Sequence, residues 1–101
     1  MEKPTDNLHK TNITLKMLIE SQILLAGQEI FCSNPSVNGF LNSDGSITVF
    51  INGRNKVYDY LSGAARHIEG RSLNGWIYWY VLRDGEKVPL GNFRDQYLNR
   101  T

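Results

Sequence analysis

The chain has 101 residues, of which 41% are hydrophobic and 21% charged, with a formal net charge of +1. A chain of this length makes one domain that buries roughly two-thirds of its unfolded surface, and so small a charge gives no global field to announce a nucleic-acid or membrane partner. The lone cysteine, Cys32, excludes an intramolecular disulfide and fits a reducing compartment. No apolar run is long enough to span a bilayer, and the first residues hold no apolar signal region. The expectation is an intracellular protein with no membrane partner: cytoplasmic, at the nucleoid, if bacterial, and nuclear if eukaryotic. It is either free-standing or a domain of something larger.

Residues 1–12 are polar and aperiodic, so a poorly ordered tail is expected ahead of a folded domain over 13–99. Thr14 is a plausible N-cap, with Ile13 and Leu18 placed as a hydrophobic staple across it. Leu15, Leu18 and Ile19 mark one face of a short helix, and Gly27 ends the segment. Strands follow at Gln28–Cys32, Val37–Leu41 and Ser46–Ile51, with Asn42-Ser43-Asp44-Gly45 supplying hairpin chemistry. Asn52-Gly53 is a further turn into a short edge strand, Arg54–Tyr58. Leu61, Ala64, Ala65 and Ile68 make an amphipathic stripe, which predicts a second helix over Tyr60–Glu69. Asp59 is expected to cap its start and Gly70 its end.

Asn74-Gly75 is a strong turn dipeptide. Trp76–Leu82, aromatic and β-branched almost throughout, reads as a mostly buried strand. A turn at Arg83–Glu86, a proline-limited return at Val88–Leu90 and a last helix over Asn92–Leu98 complete the chain. Strand alternation places Ile30, Cys32, Leu41, Ile47, Val49, Ile51, Ile77, Trp79 and Val81 on one face of the sheet. Phe31, Phe40, Phe50, Trp76, Tyr78 and Tyr80 fall on the other. A terminal helix is expected to cover this aromatic face as a second core, with a ligand-facing role as the alternative. The class is α+β, a small and mainly antiparallel sheet of four to five short strands with two or three short helices.

Catalytic chemistry is sparse. His9 and His67 have no partner at metal-ligand spacing, and Ser62 and His67, five apart on a helix, are poorly set as a nucleophile and base. None of the nine glycines forms a phosphate-binding loop, and the carboxylates are dispersed. No cofactor is expected. Binding chemistry is better represented. Residues 54–83 hold Arg54, Lys56, Arg66, Arg71 and Arg83 against Asp59 and Glu69, a local excess of +3 that leaves −2 elsewhere. Arg54, Lys56, Arg66 and Arg71 are candidates for phosphate contacts; Ser62, Ser72 and Asn74 add groups able to bond a backbone or a base edge. These residues alone leave DNA binding and a protein-interaction module equally open.

The motifs then come into register with a family. Leu15…Leu18-Ile19, Gly27 and Ile30, Asp44-Gly45-Ser46-Ile47, Ser62-Gly63-Ala64-Ala65, Gly70-Arg71-Ser72-Leu73-Asn74-Gly75-Trp76…Trp79 and Leu90…Phe93-Arg94 together resemble the RAMA domain, from restriction enzyme adenine methylase associated. The resemblance covers roughly Ile13 to Leu98, and its most specific part is the Gly-x-Ser-x-Asn-Gly-Trp-x-x-Trp run. It implies a small α+β module of restriction-modification or chromatin proteins that recognises DNA, in particular modified bases such as N6-methyladenine. Where family members open the second helix with a Ser-Pro-like step, this chain has Tyr60-Leu61, which makes Tyr60 a candidate to stack on a base or sugar. Trp76 or Tyr78 would wall a flipped base. The expectation is a non-catalytic DNA-binding module whose charged helix flank and tryptophan strand form one patch. Its rivals are a protein-interaction or structural module of a larger protein, and an accessory DNA-affinity domain of a fused or partner nuclease or methylase.

Overall fold

A computed structural model describes residues 12–99. The expected tail, apart from Asn12, lies outside the described residues, as does His9. Ten elements follow in order: α1 (Leu15–Glu20), β1 (Glu29–Ile30), β2 (Asn38–Leu41), β3 (Ile47–Ile51), β4 (Arg54–Tyr58), α2 (Leu61–Glu69), α3 (Gly75–Tyr78), β5 (Tyr80–Arg83), β6 (Glu86–Pro89) and α4 (Gly91–Leu98). The class is α+β as expected, with a four-stranded antiparallel sheet, a two-stranded sheet and four short helices.

Thr14 caps α1 as its sequence suggests: its Oγ1 accepts from the Met17 amide at 3.2 Å, and Ile13 and Leu18 are both buried across the cap. Strands β1 to β4 pair in chain order. Two hairpins close on turns whose two central residues are both left-handed, Asn52-Gly53 between β3 and β4 and Asp84-Gly85 between β5 and β6. That geometry matches the right-handed twist of the flanking strands. The small sheet joins the large one through an antiparallel bridge between Phe31 and Tyr80, with reciprocal backbone bonds of 2.8 and 2.9 Å.

The register sorts the faces. Leu41 opposite Ile47, and Gly39 opposite Val49, point into the core, while Phe40 opposite Thr48 points away. Trp79 and Val81 are buried with them, but Ile77, expected on this aliphatic face, is 69% exposed. The expected covering of the aromatic face is corrected too. Phe40 and Phe50 remain exposed, and α4 packs instead against α1 and β6.

Two further expectations are revised. The stretch from Trp76 is not a strand from its first residue: Gly75–Tyr78 forms one turn of helix, Trp79 returns to extended backbone, and the paired strand is Tyr80–Arg83. Asn74 explains the difference, since its side-chain Oδ1 accepts from the Trp76 amide at 2.9 Å and starts a helix where β-propensity favours a strand. Asp59 does not cap α2. Tyr60 holds the cap position in extended conformation and its side chain makes no capping bond. Gly70 ends the helix in the left-handed conformation, as expected.

Candidate functional site

A cleft of about 720 Å³ opens between the start of α1, the tip of the β2–β3 hairpin and the junction of α2 with α3. Two glycines allow this convergence. A Cβ at Gly75 would lie 2.5 Å from the Leu61 carbonyl carbon and from the Ser62 nitrogen, so the start of α3 reaches the start of α2 only without a side chain. Gly45 has φ +90° and sits against α1, where a Cβ would lie 2.8 Å from the Lys16 Cβ.

The junction is tied from both sides. The Trp79 indole nitrogen donates to the Leu61 carbonyl at 3.1 Å, and the Tyr78 hydroxyl donates to Glu69 Oε2 at 2.8 Å. Burial, reinforced by hydrogen bonding and by the Glu69 charge, pushes the Tyr78 hydroxyl well above its ordinary range, so it stays a donor. At the hairpin tip Asp44 Oδ1 accepts from the Ser46 amide at 2.9 Å and from its hydroxyl at 2.6 Å. Those bonds to Ser46 hold the Asp44 carboxyl below its usual value. On the α4 side the Arg94 guanidinium lies 4.3 Å from the centroid of the Trp76 ring, a cation–π contact, and burial lowers its pKa from the ordinary value.

Of the residues the sequence singles out, Tyr60, Ser62, Asn74 and Trp76 line this cleft. Ser62, Arg66 and Ser72 line a shallow neighbouring depression of about 160 Å³, so Ser62 belongs to both. Arg54 and Lys56 line neither. They lie exposed on β4, where the Lys56 ammonium sits 5.4 Å from the centre of the Tyr58 ring. The Tyr58 hydroxyl in turn bonds His67 Nδ1 on α2, which sets β4 beside that helix. Arg71 is exposed in the link between α2 and α3 and also lines neither hollow. Among the described residues, Arg54, Arg66 and Arg71 have no carboxylate within ion-pair distance.

Sequence reasoning misses five other polar residues of the lining, Lys16, Asp44, Ser46, Asp59 and Arg94. A signal for part of it is present. Asp44-Gly45-Ser46 and Phe93-Arg94 are among the motifs that carry the family resemblance, yet local reading assigns the first to a hairpin turn and the second to a terminal helix. No group of three or more His, Cys, Asp or Glu able to hold a metal ion occurs among the described residues, and none of their helices is long and apolar enough to cross a membrane.

Comparison with known proteins agrees with the motif reading. The model of the RAMA family, Restriction Enzyme Adenine Methylase Associated, matches residues 2–101. The chain is also similar to the Type II methyltransferase M.HinfI of Haemophilus influenzae, with 25% identity over 88 residues that make up 87% of this chain. Those residues span 23% of the length of that methyltransferase. With the family model covering the cleft, both glycine contacts and the tryptophan junction, the chain belongs to the RAMA family.

Proposed function

We propose that this protein is a non-catalytic DNA-binding module acting in restriction-modification, and that it reads modified bases such as N6-methyladenine. The observation that carries the reading is the arrangement around α2. Arg66, exposed and with no carboxylate partner among the described residues, lines a depression that shares Ser62 with a cleft whose lining includes two aromatic side chains, Tyr60 and Trp76. Exposed arginines kept free of carboxylates are suited to phosphates, which fix position and register without carrying sequence. In this reading Arg54, Lys56, Arg66 and Arg71 hold the backbone, and Ser62, Ser72 and Asn74 bond a sugar, phosphate or base edge. An N6-methyl group lies in the major groove and weakens pairing, so it is read there or on a base that has left the stack.

The match to a segment of a methyltransferase supports a related arrangement, in which the module lends DNA affinity to a fused or partner catalytic domain. A second reading, a protein-interaction module, is favoured by one observation, the uncovered sheet face bearing Phe40 and Phe50.

Titration of matched duplexes with and without N6-methyladenine, in the same salt, tests the proposal. Binding to both, and tighter binding to the methylated duplex, is the expected result. Equal affinities would remove the modification-reading part, and no binding to either at low salt would leave the protein-interaction reading.

A further inference from the structure

The cleft and its flank differ in charge, and that difference assigns them different ligands. Outside the cleft lining, Arg54, Arg66 and Arg71 have no carboxylate partner among the described residues. Within the cleft, Lys16 and Arg94 are matched by Asp44 and Asp59, so its charges sum to zero. A phosphate entering there would meet two carboxylates as well as two cations, and like charges at close range are strongly unfavourable. A neutral planar group meets no such penalty. It finds acceptors in the carboxylates and donors in the lysine and arginine.

The walls suit a planar group as well. Arg94 lies over Trp76 with 4.3 Å between guanidinium carbon and ring centroid, so that side of the cleft carries a cation–π pair rather than a lone indole. At the rim stands Tyr60, 75% exposed. It occupies the N-cap of α2 yet its side chain makes no capping bond, at a position where Ser, Thr, Asp or Asn would stabilise the helix. Its carbonyl accepts from the Ala64 amide, but its side chain serves neither the helix nor the core and leaves an aromatic ring in water beside the cleft.

We propose that the cleft receives one unpaired nucleobase bearing an exocyclic amino group, stacked at Tyr60 and bonded through that amine to the carboxylate of Asp59 or Asp44. This rests on the DNA-binding reading and adds to it a ligand for the cleft. Trp76 then acts by fixing Arg94, not as the stacking wall itself. An exocyclic amine is present on adenine, cytosine and guanine and absent from thymine, so the carboxylates discriminate among unpaired bases.

The test uses the full chain with three duplexes that differ at one position: fully paired, carrying one bulged adenine, or carrying one bulged thymine. A base already outside the stack spares the cost of extrusion, so the bulged-adenine duplex is expected to bind roughly tenfold or more tighter than the paired one. Bulged thymine should gain clearly less. Asp59→Asn and Tyr60→Ala alter exposed side chains, and each should bring the ratio of bulged-adenine to paired affinity toward one. Salt-dependent binding of all three duplexes with equal affinity would overturn the cleft assignment while leaving the DNA-binding reading in place. So would a ratio unchanged in both variants. Absence of binding to any duplex at low salt would overturn both.

Discussion

The Trp79 indole nitrogen donates to the Leu61 carbonyl oxygen at 3.1 Å, across eighteen positions of sequence. The same indole packs against the sheet, where its ring would stand 3.3 Å from a Cβ placed at Gly39. One fully buried side chain thus joins the large sheet to the start of α2, from which the cleft is built. Trp79→Ala should destabilise the fold by roughly 3–5 kcal/mol, and Trp79→Phe should lose the hydrogen bond, worth about 1 kcal/mol, plus part of the packing. Urea unfolding measures both. An alanine variant as stable as the parent would contradict this role.

Gly75 leads to a second expectation. Because a Cβ would lie 2.5 Å from backbone and side-chain atoms of Leu61, Gly75→Ala must separate α3 from α2. A cost of about 1–3 kcal/mol is expected from overpacking alone. The Tyr78–Glu69 and Trp79–Leu61 bonds should be strained with it, giving a less protected Trp79 indole in hydrogen exchange. Gly63→Ala is the control, since a Cβ there meets nothing within 4 Å.

Arg66 and Arg71 are exposed and have no carboxylate partner among the described residues, so their removal should leave folding almost unchanged. Arg66→Ala and Arg71→Ala should each weaken duplex binding to a similar degree across sequences and reduce the salt slope by about one. Unchanged affinity and slope in both variants would remove these residues from the interface.

Asp44 sets a pH dependence. Its bonds to Ser46 lower its pKa in the folded state, so its stabilising effect is present above the unfolded carboxylate value and is lost as pH falls through the lowered folded value. Asp44→Ala should therefore be less stable than the parent at neutral pH, and the gap should close below about pH 4. A gap that stays constant through that window in acid unfolding would show that the ionised carboxylate is not what holds the hairpin tip.

Much of the fold was legible because it is locally encoded. The Thr14 cap, the Asn52-Gly53 turn, the Arg54–Tyr58 edge strand and the Gly70 stop each depend on residues within one turn of each other. The single turn of α3 was not, because Trp-Ile-Tyr-Trp has strong strand propensity and only the Asn74 cap and the tertiary seat of Trp79 overrule it. Half of the candidate site was legible for the same reason: Tyr60, Ser62, Asn74 and Trp76 flank one junction. Lys16, Asp44 and Arg94 reach the cleft from three distant segments, and their approach depends on missing side chains at Gly45 and Gly75, which no periodicity reports.

The central claim is that the cations around α2 hold a nucleic-acid backbone. Duplex affinity measured against salt concentration tests it most directly. Four phosphate contacts, from Arg54, Lys56, Arg66 and Arg71, predict a linear fall of log affinity with log salt, with a slope near −3.6 from about −0.9 per contact. A slope near zero, or no measurable affinity for duplex at about 50 mM salt, would contradict it.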